Sequence, residues 1–236
     1  VKALRWLLAV AAVVLVSIGI AGFARKRQFT AVEWGSCGRR HHVPCVVEKS
    51  GQQESSLAYL RSRDELFFIG DIGPGFDEAI GSALRRFPDA RTLSIAWSRG
   101  GLQASALRAA RDLNRHGMAV RIDGRCASAC ATLWASSKAR QAHPKAMLGL
   151  HDGILAKDVP AWLRDRIARS ARTRTADALR GAGFPEREIQ RGAHTPNTSI
   201  HWLDVPALQR AGVKFELVEP DHVRRRESDP PPVPRS

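Results

Sequence analysis

Between positions 66 and 150, short apolar runs alternate with stretches whose apolar residues recur every three or four positions, and this alternation is the strongest constraint on the fold. The runs 66–72, 92–97, 118–122 and 146–150 are short and mostly apolar, as buried strands are. The stretches 76–87, 102–116 and 128–135 carry helical spacing. In the second, Leu102, Ala106, Ala109, Ala110 and Leu113 share one face, and Gly117 follows its end. Strands and helices taking turns in this way predict an α/β domain of parallel strands joined by right-handed crossovers. An arginine-rich amphipathic helix is expected over 160–182, with Trp162, Leu163, Ile167 and Leu179 as its buried contacts. Asp204 stands where it can cap a last short helix, ended by Gly212, before a final strand over 213–218.

The chain has 236 residues and 44% apolar content, enough for one substantial core. Its ends read differently from its middle. Residues 6–24 carry no charge and lie between Lys2 and Arg5 on one side and Arg25-Lys26-Arg27 on the other, so 1–24 is expected to be a transmembrane anchor or a cleaved signal peptide. Residues 25–62 are polar and read as a linker, with a small loop between Cys37 and Cys45 that holds His41 and His42. The globular domain is expected over 63–219. Residues 220–236, rich in proline and arginine, are expected to be a disordered tail.

The net charge of +14 raises the question of a nucleic-acid partner, but the arginines are scattered and lack interleaved aromatics or a recognition motif. The base composition of the genome, or attraction to an anionic membrane surface, suits the pattern better. The four cysteines fall as two close pairs, Cys37 with Cys45 and Cys126 with Cys130, which suits disulfides in an oxidising compartment. Reduced, partly buried thiols are the alternative. The spacing of Cys126 and Cys130 is not that of a usual zinc site, and no metal or other cofactor is expected.

Three signals with chemical content lie along the alternating region. They are a glycine pair in Ser98-Arg99-Gly100-Gly101, a serine among small residues in Cys126-Ala127-Ser128-Ala129-Cys130, and a histidine in Gly149-Leu150-His151-Asp152. A serine hydroxyl becomes a nucleophile when a neutral imidazole takes its proton. Glycines at 100 and 101 allow close backbone approach to a substrate, and the Ala129 amide, directly after the serine, can help stabilise an oxyanion.

Over residues 64–218 this pattern resembles the Clp-protease-like family of serine peptidases, members of the ClpP/crotonase superfamily, and especially its exported bacterial branch with a Cys-x-Ser-Ala-Cys core. Gly70-Asp71-Ile72 matches the strand ending that opens the domain in that family, Ser98 to Gly101 its oxyanion turn, Ser128 its nucleophile, and His151, 23 positions later, its base. The resemblance implies a ClpP/crotonase-like fold of repeated ββα and βαβ units. It implies a membrane-anchored serine hydrolase, a peptidase acting on peptides or membrane-protein fragments. Such a protein sits at the bacterial inner membrane with its bulk in the periplasm, and a homo-oligomer is open.

The departure from the family is the third catalytic member, because the matching segment 195–202 contains no acid. Asn197 is the candidate to orient the imidazole. Asp152 adjoins the base, but its side chain is expected to point to the opposite face of a continuing strand. A serine–lysine site would need Lys138 or Lys145 near Ser128. Two other classes compete: a noncatalytic binding or scaffold protein on the same fold, and, more distantly, an acyl-CoA enzyme of the crotonase kind.

Overall fold

The structure is a computed structural model that describes residues 35–37, 43–47, 55–153 and 159–219. The apolar run 6–24, the pair His41 and His42, and the tail 220–236 lie outside the described residues, as does any bond between Cys37 and Cys45. Among the described residues no helix is long and apolar enough to cross a membrane.

The strands are β1 (Gly35–Cys37), β2 (Val43–Val47), β3 (Ser56–Leu60), β4 (Glu65–Ile69), β5 (Thr92–Ser98), β6 (Ala119–Ala127), β7 (Ala139–Ala142), β8 (Met147–Leu150), β9 (His201–Asp204) and β10 (Glu216–Leu217). The helices are α1 (Phe76–Arg86), α2 (Gln103–Arg115), α3 (Ala129–Ala135), α4 (Ala161–Ala182), α5 (Glu186–His194) and α6 (Val205–Arg210). All the strands join one mixed sheet, in the order β1-β2-β3-β4-β5-β6-β7-β10, with β8 and then β9 branching from β6. The centre, β4-β5-β6, is parallel, and α1 and α2 are its crossovers, as the alternation requires.

Period-two patterning separates the two faces of this centre. Leu66, Phe68, Leu93, Ile95, Val120 and Ile122 are fully buried and belong to one core with Ile80, Ala106 and Leu113 of the crossover helices. Residues of the alternate set, Glu65, Ser94 and Arg121, are buried too and satisfy one another. Ser94 Oγ donates to Glu65 Oε1 at 2.6 Å, and Arg121 Nη2 donates to Glu65 Oε2 at 2.8 Å. Arg121 Nε donates to Asp123 at 2.7 Å. Burial disfavours the Arg121 charge, but Asp123 and Glu65 outweigh it and hold its pKa above the ordinary arginine value.

Strand β6 is the element that builds the site. Its first half, Ala119 to Ile122, pairs with β7, and its end, Arg125 to Ala127, pairs with β8. The change of partner coincides with a shift of register against β5 between Ile95 and Trp97. Gly124 is needed there, because a Cβ would stand 2.2 Å from the Ala96 carbonyl oxygen. The divergence carries the end of β6 toward β8, so the residue after it lies beside the strand that leads into His151.

Several expectations need correction. Residues 25–62, read as linker, contribute β1, β2 and β3 to the sheet, which therefore begins before residue 63. Strands β7 and β9 and helix α5 were not anticipated. The first two are four residues long with mixed polar and apolar character, and pairing decides them rather than patterning. Trp162 is 80% exposed instead of buried, while Leu179 of the same helix is buried as expected. Asp204 caps α6 by accepting from the Ala207 amide at 2.7 Å.

Candidate active site

Ser128 follows β6 and immediately precedes α3, with φ 57° and ψ −121°. It is one of two non-glycine residues with positive φ among the described residues, and such a conformation costs about 1–3 kcal/mol that the surroundings must offset. Several contacts hold it. The Ser128 amide donates to the Gly149 carbonyl at 2.9 Å, and the Ser128 carbonyl accepts from the Thr132 amide at 3.0 Å. The Cys126–Cys130 disulfide expected from the spacing closes across the turn, with both cysteines fully buried. All seven residues of α3 are buried, so the turn cannot shift without moving the core.

The glycine turn fits against this serine turn. A Cβ on Gly100 would lie 2.5 Å from the Ala127 carbonyl oxygen, 2.6 Å from Ser128 Cβ and 2.7 Å from the Ala129 nitrogen. Its φ of +100° also disfavours any side chain. Gly100 was expected to supply an oxyanion donor, but its amide donates to Ser98 Oγ at 3.1 Å, so its role here is close approach. The amides of Gly101 and of Ala129, the first residue of α3, meet no acceptor among the described residues, and both residues line the same cleft as Ser128.

His151 follows β8 and lines that cleft, which has a volume of about 690 Å³. Its Nδ1 donates to the Asp152 carbonyl at 2.6 Å. A carbonyl oxygen can only accept, so Nδ1 carries a proton, and in the neutral ring the lone pair of a base is on Nε2. Asp152 is itself held on every side. Its amide donates to the Thr195 carbonyl at 2.8 Å, and its carboxylate accepts from the Gly153 amide at 2.9 Å and from Arg172 at 2.8 and 2.7 Å. The hydrogen bond from Arg172 draws the Asp152 pKa below the ordinary 3.8, although burial opposes the shift. Among the described residues Ser128 Oγ makes no hydrogen bond, to His151 or to any other side chain.

The remaining candidates fall elsewhere. Asn197 is exposed in the turn between α5 and β9 and does not bond His151, whose Nδ1 is engaged by the Asp152 carbonyl. No lysine lines the cleft, so Lys138 and Lys145 are not brought to Ser128. Gly149 carries no side chain for a steric reason. A Cβ there would meet Ile200, Ala127 and Trp202 within 3 Å, where β8 is closed between β6 and β9.

Sequence reasoning missed three features. One is the carbonyl of Asp152, which any residue would supply. Another is Arg172, 20 positions further on, in a helix where arginine is commonplace. The third is His201, the cross-strand partner of Leu150, which bonds the Glu188 carboxylate at 2.8 Å and so forms a histidine–acid pair outside the lining of the cleft. Against known proteins, the chain matches no family model and no curated sequence.

Proposed function

We propose that the chain is a serine hydrolase, and that within the ClpP/crotonase-like fold it resembles it acts as a peptidase with Ser128 as nucleophile and His151 as base. The observation that carries this reading is the positive-φ backbone of Ser128, held by a disulfide and by buried neighbours in the lining of a cleft that His151 shares. A strained, over-determined residue facing a cleft is what a preorganised nucleophile needs, and packing alone gives no reason for it.

In the acylation step His151 Nε2 takes the hydroxyl proton as Ser128 Oγ attacks the substrate carbonyl. The negative charge that develops on the carbonyl oxygen is met by the amides of Ala129 and Gly101. The tetrahedral species collapses as the imidazolium returns its proton to the leaving amine, and the acyl group stays on Ser128. A water molecule then gives its proton to Nε2 and attacks the ester, releasing the acid and restoring the serine. The Asp152 carbonyl does what a triad acid does for orientation: it fixes the tautomer and the ring plane of His151. It carries less negative charge than a carboxylate and stabilises the imidazolium less.

The apolar run over 6–24, the basic composition and the disulfide support the wider setting, an exported protein held at the bacterial inner membrane with this domain in the periplasm. The test is reaction of the full chain with a fluorophosphonate, with the adduct mapped by mass spectrometry. Labelling at Ser128 that is lost in Ser128→Ala and falls by at least about 10²-fold in His151→Ala is the expected result. A folded chain that stays unlabelled would favour the noncatalytic binding protein instead.

A further inference from the structure

The cleft contains more than the reacting groups. Its far wall is α4, which presents Leu163, Arg166, Ile167, Ala171 and Arg174 to it. These positions recur at helical spacing, so one stripe of α4 carries both apolar groups and two arginines. Leu150, Leu179 and Ile189 complete an apolar floor.

The charge of this surface is unbalanced. Of the charged residues that line the cleft, Asp152 and Arg172 pair with each other, whereas Arg166 and Arg174 have no acidic partner among the described residues. Eight helical positions separate these two arginines, which places their backbones about 12 Å apart along the axis. An extended peptide covers that distance in about four residues.

Gln103 adds a further polar group to the cleft lining. Gln103 donates through Nε2 to the Ala171 carbonyl at 2.9 Å and to Thr175 Oγ1 at 2.6 Å. The Ala171 carbonyl can only accept, so the amide orientation is settled and Oε1 is left without a partner among the described residues. A peptide N–H satisfies that acceptor, and a lipid acyl chain offers nothing to it.

We infer that the cleft binds acidic peptides in extended form, with carboxylates about four residues apart reaching Arg166 and Arg174 and apolar side chains between them on the floor. The inference names the substrate class for the Ser128 reading and rests on that reading only for what happens to the peptide afterwards. Binding is therefore measured apart from chemistry.

Three dye-labelled hexapeptides share their apolar residues and differ at two positions four apart, which are Glu, Gln or Lys. Fluorescence anisotropy with the full-length Ser128→Ala chain in detergent reports affinity without turnover. The Glu peptide is expected to bind about tenfold more tightly than the Gln peptide, and the Lys peptide more weakly than either. Adding Arg166→Glu and Arg174→Glu together reverses the order of the Glu and Lys peptides. Equal binding of the three peptides by the chain with both arginines intact overturns the inference. So does displacement of the Glu peptide by phosphatidylglycerol vesicles but not by excess unlabelled Glu peptide, which would assign the cleft to lipid. Failure of the fluorophosphonate to label the native chain overturns the nucleophile and leaves this binding result standing.

Discussion

The two halves of the candidate site are held by different physics. On the nucleophile side, Ser128 is fixed by the backbone of β6 and α3, by a disulfide between two fully buried cysteines, and by a glycine turn in van der Waals contact. On the base side, His151 is fixed by one carbonyl, whose residue is held by an ion pair to an arginine that is 53% exposed. Packing and covalent constraint are indifferent to salt and mild acid, whereas a half-exposed ion pair is sensitive to both. The position of the nucleophile is thus part of the fold, while the orientation of the base is adjustable at the surface.

The largest effect should come from Gly100→Ala. The added methyl cannot coexist with Ala127 O and Ala129 N, and φ is +100°, so the Ala129 amide must move. Fluorophosphonate labelling should fall on the order of 10²-fold, the cost of losing one oxyanion donor. Wild-type labelling in this variant would mean that the glycine turn is not needed for the site.

Next comes the disulfide. Replacing Cys126 and Cys130 together by alanine removes a short cross-link, and the chain-entropy account assigns such a loop about 2 kcal/mol. Urea denaturation should show that loss, and labelling should slow as the Ser128 turn relaxes. Unchanged stability and rate would remove the covalent half of the comparison.

Arg172→Gln should separate position from stability. The Arg172–Asp152 pair is partly exposed, so the change in stability stays below about 1 kcal/mol. Labelling should nevertheless fall severalfold, and the difference from wild type should shrink as salt is raised. If the variant loses stability instead of rate, the ion pair is structural and does not position the base.

The smallest effect is the pH dependence of that pair. The folded-state pKa of Asp152 is depressed, so its stabilising contribution is fully present above 3.8 and is lost as pH falls through the lower folded value. Thermal melts of wild type and Arg172→Gln should differ above that pH and converge below it. A gap that persists in acid would show that Arg172 acts through packing of its stem.

Much of this arrangement was legible in the amino acids. The crossover helices and the strands β4, β5, β6 and β8 follow the alternation, and the helix over 160–182 forms at 161–182 with a left-handed Gly183 after its end. The cysteine spacing anticipated the cross-link around Ser128. Strands β7 and β9 carry no pattern of their own, because a four-residue strand is stabilised by its ladder, which β7 forms with β6 and β10 and β9 forms with β8. Trp162 was misplaced because helical spacing shows that residues share a face without showing what the face meets. The partner of His151 was sought among side chains in 195–202, where Asn197 is exposed.

By itself the sequence determined the parallel centre of the sheet, the turn in which Ser128 stands and the histidine that follows β8, since each of these depends on local periodicity, on small residues or on spacing within one segment. Only the tertiary structure decided that Gly100 contributes close approach in place of its amide, that the Asp152 carbonyl holds His151, and that Arg166 and Arg174 face the same cleft as the serine. Those outcomes depend on backbone groups that every residue type shares and on the packing of α4 against segments far from it in the chain.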